Sequence, residues 1–153
     1  MIIFRLAIEQ YKDDLSGTGA KLFGGRWNFV GIPVLYTTEN IALSALEILV
    51  RTDKNLIPPD YTLLKIDLPD SMAVNSISKS KLKKGWQDDL EYTQFIGSEF
   101  IKNNGAPALK VPSAIIEEEH NFIINPNHSE FRKIKIRSFS KFRFDKRFFK
   151  TDE

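Results

Sequence analysis

The sequence contains no cysteine and only two histidines, His120 and His128. Without a thiol it can form neither a disulfide nor a thiolate metal site, which suits a reducing compartment. Two histidines with no carboxylate at ligand spacing argue against a histidine metal centre. Long apolar runs are missing as well. The opening stretch "MIIFRLAIEQ" is interrupted by Arg5 and Glu9, so it predicts neither a signal peptide nor a membrane span, and a cytoplasmic protein is the expectation. No Walker-type phosphate loop, no G-x-G-x-x-G fingerprint and no G-x-S-x-G elbow occurs, which removes the commonest nucleotide-binding and serine-hydrolase signatures.

What is present describes a globular chain. At 153 residues and 42% hydrophobic content it can bury a substantial core, and one domain over residues 1–153 is expected. The net charge of +2 conceals an asymmetry. Residues 132–153 hold nine Lys/Arg against three Asp/Glu, a net of +6, which leaves −4 for the rest. A basic terminus invites a nucleic-acid reading. However, "KIKIRSFSKFRFD" interleaves its charges with Ile134, Ile136, Phe142 and Phe144, the alternation of a half-buried strand or hairpin with lysines on its wet face. Charged side chains also guard an exposed sheet edge. The solvated strand is the preferred reading.

Periodicity outlines the remaining elements. "IIFRLAI" and "IPVLYTT" read as strands, and "TENIALSALEILVRT" as a helix entered through its threonine, with Glu39 in the first turn and Arg51 in the last. "PPDYTLLKIDLP" returns as a strand. "DDLEYTQFIGSEFIKNN" predicts a second helix, weakened at Gly97 and stopped at Gly105. "ALKVPSAII" and "NFIINP" add two strands around the acidic turn "EEEH". Strands outnumber helices without βαβ alternation, so an α+β fold on a largely antiparallel sheet is expected.

Several residues could carry chemistry. In "KLFGGRWNFVGIPVLYTTEN", Gly24 and Gly25 permit a tight turn ahead of Arg26, whose five-donor fork suits phosphate, and Trp27 is a large apolar anchor. The segment fits an anion site or a purely structural turn. Asn40, Ser44, Glu47 and Arg51 share one helix face. Spacing alone favours an exposed Glu47–Arg51 pair over a Glu47 projecting into a cleft. Ser113, just after Pro112, reads first as a turn cap and secondly as a hydroxyl that binds a ligand. Tyr36 reads as core, with stacking on a flat ring as the alternative. Asx turns account for Asn121 and Asn125.

Taken together, "GGRWNFVGIPVLYTTENIALSALEILV", "LKVPSAIIEEEHNFIINPNH" and "FRFDKRFF" resemble the RES-domain family, toxins of RES–Xre toxin–antitoxin systems. The likeness spans about residues 4–149. The family's arginine, glutamate and serine fall at Arg26, Glu47 and Ser113. The resemblance implies an ADP-ribosyltransferase-like fold and attack on NAD+ as substrate, by hydrolysis or phosphorolysis, with no metal or other cofactor required. It further implies an Xre-type helix-turn-helix antitoxin, so that DNA is met only through the partner. Under this implication Glu47 stabilises an oxocarbenium-like transition state and holds a ribose hydroxyl. Arg26 clamps the pyrophosphate, Ser113 bonds the nicotinamide or its ribose, and Tyr36 flanks the ring. Transfer of ADP-ribose to a protein is the alternative within the enzyme class. A non-catalytic nucleic-acid-binding module, resting on the basic end, is the alternative outside it.

Overall fold

A computed structural model describes residues 1–56 and 58–150. Seven strands form one sheet: β1 (Ile2–Ile8), β2 (Leu35–Thr38), β3 (Tyr61–Asp67), β4 (Val74–Ser76), β5 (Ala108–Pro112), β6 (His120–Ile124) and β7 (Lys135–Phe142). Their order is β4-β5-β6-β2-β1-β3-β7. Only β4 and β5 run parallel; all other neighbours are antiparallel. Three α-helices accompany them: α1 (Thr18–Phe23), α2 (Ile41–Leu49) and α3 (Leu90–Asn103). The expected α+β class and largely antiparallel sheet are therefore found.

Period-two alternation divides the core between the two faces of the sheet. Along β6, Phe122 and Ile124 join Ile3, Leu35, Leu64 and Ile66 on one face. Ile123 points the other way, into a cluster with Trp27, Trp86, Ile101, Leu109 and Val111. Trp27 is fully buried and meets Trp86 at 5.9 Å between ring centroids. Helix α3 lies directly on this cluster. A Cβ at Gly97 would come within 1.8 Å of the Trp27 carbonyl oxygen. Gly97 is thus the contact that lets α3 approach, not the weak point its propensity suggests.

The sheet loosens in the middle. β1 pairs with β3 over seven residues, but with β2 only at Phe4 and Thr38. In this gap Arg5 donates from Nη1 to the Tyr36 carbonyl at 2.9 Å. The strand expected over residues 32–38 begins only at Leu35. Pro33 has no N–H to give, and the Ile32 carbonyl is taken by the Asn28 amide at 2.9 Å.

Helix ends also differ from expectation. Asn40, not a threonine, caps α2, its Oδ1 accepting the Leu43 N–H at 2.8 Å, while Thr38 bonds Ser44. Glu39 therefore precedes the helix and accepts from the His120 N–H at 2.9 Å; Arg51 lies beyond its end. Asn104, at φ 52°, closes α3 in the left-handed conformation expected of Gly105. Helix α1 and strand β4 had no sequence signal. α1 buries no residue, and β4 is a three-residue edge.

β7 forms the other edge, paired to β3 through Tyr61–Phe142 with a register shift at Lys65/Ile66. It is more exposed than a half-buried strand: only Ile136 and Phe142 within it are partly covered. Lys135, Arg137 and Lys141 are exposed, as expected of a solvated edge, and residues 151–153 of the basic segment lie outside the described residues. No described helix is long and apolar enough to cross a membrane.

Candidate active site

The turn from Gly24 to Asn28 is fastened from two sides. Gly24 adopts φ +73°, and a Cβ at Gly25 would stand 2.7 Å from the Tyr36 hydroxyl. That hydroxyl donates to Asn28 Oδ1 at 2.6 Å and accepts the Trp27 N–H at 2.8 Å. Asn28, wholly buried, donates in turn to the carbonyls of Ala20 and Ile32. From α3, Thr93 and Gln94 bond the carbonyls of Arg26 and Gly25 at 2.7 and 3.0 Å, while Ser98 accepts the Phe29 N–H. The turn is consequently rigid. Its product is Arg26, a part-buried guanidinium that spends Nη1 on the Gln87 carbonyl at 2.8 Å. No carboxylate pairs with Arg26 among the described residues, so the rest of its fork remains available.

Glu47 belongs to a second corner, where α2 faces the ends of β5 and β6. Its Oε1 accepts from Asn121 Nδ2 at 2.8 Å and from Ser113 Oγ at 3.2 Å. Ser113 is completely buried, and its oxygen also accepts the N–H groups of Ile115 and Ile116 at 3.0 and 3.2 Å. The turn-cap reading of Ser113 therefore holds, with its single proton directed at Glu47. The exposed Glu47–Arg51 ion pair favoured by spacing does not form. Arg51 Nε donates instead to the Glu47 backbone carbonyl at 3.1 Å, because the carboxylate is turned inward by two buried donors. The Glu47 Oε2 has no protein partner among the described residues and is not buried.

Burial pushes the Tyr36 hydroxyl well above its ordinary value, and the charges of Arg51, Arg26 and Glu47 all reach it. Tyr36 is thus a neutral phenol whose hydroxyl is engaged by Asn28 and Trp27, and its ring packs against the Trp27 cluster, as the core reading expected. Burial likewise lowers Arg5, where Asp14 opposes the effect and Arg51 adds to it.

Sequence reading missed Asn121, Asn28 and Arg5. Asn125 does make the expected Asx turn, accepting the Asn127 N–H at 3.0 Å. Asn121 does not: it stands in β6, paired with Thr38 on one side and Val111 on the other. The available signal was one amide directly ahead of the apolar run Phe122–Ile124 of that strand. Among the described residues no group of three His, Cys, Asp or Glu could hold a metal ion. Two surface hollows, one of about 180 Å³ lined by Pro58, Arg143, Phe144 and Phe149 and one of about 350 Å³ beside Phe29 and Phe95, are lined by none of Glu47, Ser113 and Asn121.

Residues 2–145 match the sequence signature of the RES domain. The chain belongs to the RES-domain family. It is 37% identical over 136 residues to a protein of Photorhabdus laumondii named "Toxin Res", covering 87% of this chain and 86% of that one. It is 36% identical over 139 residues to the "Prs ADP-ribosylating toxin" of a Sphingobium strain, covering 88% and 86%. A chain in the crystal structure of the M. tuberculosis MbcT–MbcA toxin–antitoxin complex superposes with a TM-score of 0.77 at 21% identity, over 93% of this chain and 84% of that chain. That likeness supports a shared fold for this RES-domain chain.

Proposed function

We propose that this RES-domain chain is a toxin that cleaves the nicotinamide–ribose bond of NAD+. The observation that carries the reading is a carboxylate, Glu47, fixed through one oxygen by Ser113 and Asn121 and open at the other. In the reaction the C1′–N bond breaks and its electron pair leaves with neutral nicotinamide, so no metal and no further cofactor is called for. The ribose acquires oxocarbenium character, which a nearby carboxylate stabilises. Glu47 Oε2 takes this role and accepts a bond from a ribose hydroxyl. Water then attacks C1′ and passes a proton to the solvent, or the phosphate dianion attacks C1′ in its place. Arg26 holds the pyrophosphate in bidentate fashion, and the Tyr36 ring flanks the nicotinamide. Ser113 acts on the substrate through Glu47, since its hydroxyl is buried against that carboxylate.

The name of the Sphingobium relative favours a second reading, transfer of ADP-ribose to a protein. The two readings share the bond broken and differ in the acceptor. An antitoxin partner is supported by the toxin names of the relatives and by the complex in which the structural neighbour was captured. We assign it to the Xre helix-turn-helix type, which puts any DNA contact on the partner and the toxin in the cytoplasm. The test is incubation of the purified chain with NAD+, with and without phosphate, followed by proton NMR beside Glu47→Gln. Nicotinamide release that requires Glu47 is the expected result, and the second product identifies water or phosphate as acceptor. Protein-bound ADP-ribose with little free ADP-ribose moves the assignment to the transferase. No release from folded protein in either buffer overturns NAD+ degradation and leaves transfer to a protein target, or a binding role, as the better reading.

A further inference from the structure

We propose that Asn121 is the positioning residue for Glu47: its amide withdraws one carboxylate oxygen so that the other alone meets the substrate. The inference rests on the reading of Glu47 as the carboxylate that acts on NAD+. Both protein donors at this corner, Asn121 Nδ2 and Ser113 Oγ, converge on the same atom, Oε1. A carboxylate held so cannot rotate freely. Its charge is drawn toward Oε1 on the protein side, while Oε2 has no donor among the described residues and is not buried.

Asn121 is suited to this duty by its place in the fold. β6 is hydrogen-bonded to β5 and to β2 at this residue, so its backbone has neighbours on both sides. The residue is only 7% exposed. Its Oδ1 is buried without a partner among the described residues. A strand position chosen only for packing would carry no such unsatisfied acceptor, and the residues that follow, Phe122, Ile123 and Ile124, are apolar. The amide is therefore retained at a cost, and its one bond is the one to Glu47. Chemically the choice is specific. Asparagine offers a donor without a charge, whereas aspartate would set a second anion beside Glu47 unless the pair held a proton.

The experiment combines kinetics with NMR on the full chain. Asn121→Ala is expected to lower kcat on NAD+ about 10- to 100-fold with KM nearly unchanged, as for a lost charged hydrogen bond that matters in the transition state. In Asn121→Asp, the ratio of variant to wild-type kcat is expected to recover as pH falls from about 8 to about 5, where one shared proton restores the donor. The ratio for Asn121→Ala stays flat over the same range. A folded Asn121→Ala chain with wild-type kcat overturns the proposal.

A reading independent of turnover uses the native asparagine. The two side-chain amide protons of Asn121 should be widely split in a ¹H–¹⁵N spectrum, with the downfield one moving upfield in Glu47→Gln. An unmoved signal overturns the positioning role even where NAD+ is cleaved. A moved signal with no NAD+ cleavage supports the positioning role and removes the NAD+ reading instead.

Discussion

Arg26 and Glu47 reach the site from supports of different kinds. The turn bearing Arg26 is held mainly through its backbone: carbonyls and N–H groups of residues 25–29 are bonded by Tyr36, Thr93, Gln94 and Ser98, over a fully buried Trp27. The corner bearing Glu47 is held by side chains alone, where α2, the end of β5 and β6 converge on one carboxylate oxygen. The first arrangement belongs to the hydrophobic core, so damage to it should appear as lost stability. The second adds little to packing, so damage there should appear as lost chemistry. Four comparisons of variants test that division.

The largest stability effect should come from Gly97→Ala. The added Cβ would meet the Trp27 carbonyl at 1.8 Å, and backbone cannot yield as a side-chain tip can. A loss of about 3 kcal/mol or more is expected in urea unfolding, from overpacking that pushes α3 off the turn. Trp27→Ala should fall in the same range, about 3–5 kcal/mol, because a fully buried indole leaves a cavity. A Gly97→Ala chain with native stability would mean that α3 does not seat on the turn in solution.

The largest effect on chemistry should come from Glu47→Gln. The shape is kept and the charge is lost, so kcat should fall by about 100-fold or more while the unfolding midpoint barely moves. Arg26→Ala gives the contrast within the site. It removes ground-state contacts to phosphate, so KM should rise more than kcat falls. Equal effects on both parameters in both variants would erase the distinction between clamp and carboxylate.

Tyr36→Phe lies between the two regions. Losing the hydroxyl strands the Trp27 N–H and Asn28 Oδ1 without partners, which should cost about 2 kcal/mol. The ring is retained, so kcat of the folded variant should stay close to wild type. A large fall in kcat with no change in stability would give the hydroxyl a direct part in the reaction.

The same division explains what could be read from the sequence. β1, α2, α3, β5 and β6 carry their own signal, because period-two or helical alternation is local. The start of β2 was misjudged because the Ile32 carbonyl is bonded by Asn28, a tertiary fact. Helix α1 gave no signal because it buries nothing. For the site, spacing put Glu47 and Arg51 on one helix face but could not say which way that face turns. The direction is set by Ser113 and Asn121, more than sixty residues away. Arg26, Glu47 and Ser113 were singled out only through family resemblance. Asn121 was not, because its value depends on the register of β6 against β2 and β5.

The smallest effect should come from Arg51→Ala, and it decides which way the carboxylate turns. Arg51 is exposed, and among the described residues its side chain hydrogen-bonds only the Glu47 backbone carbonyl, at 3.1 Å. Removing it should change stability by less than about 0.5 kcal/mol, as for other exposed polar contacts. In a double-mutant cycle with Glu47→Gln, the stability coupling should be close to zero, since the two charged groups are not bonded to each other. A coupling of about 1 kcal/mol would mean that in solution the carboxylate swings out to the guanidinium. Ser113 and Asn121 would then be without their acceptor, and the inward carboxylate on which the proposed chemistry depends would be lost.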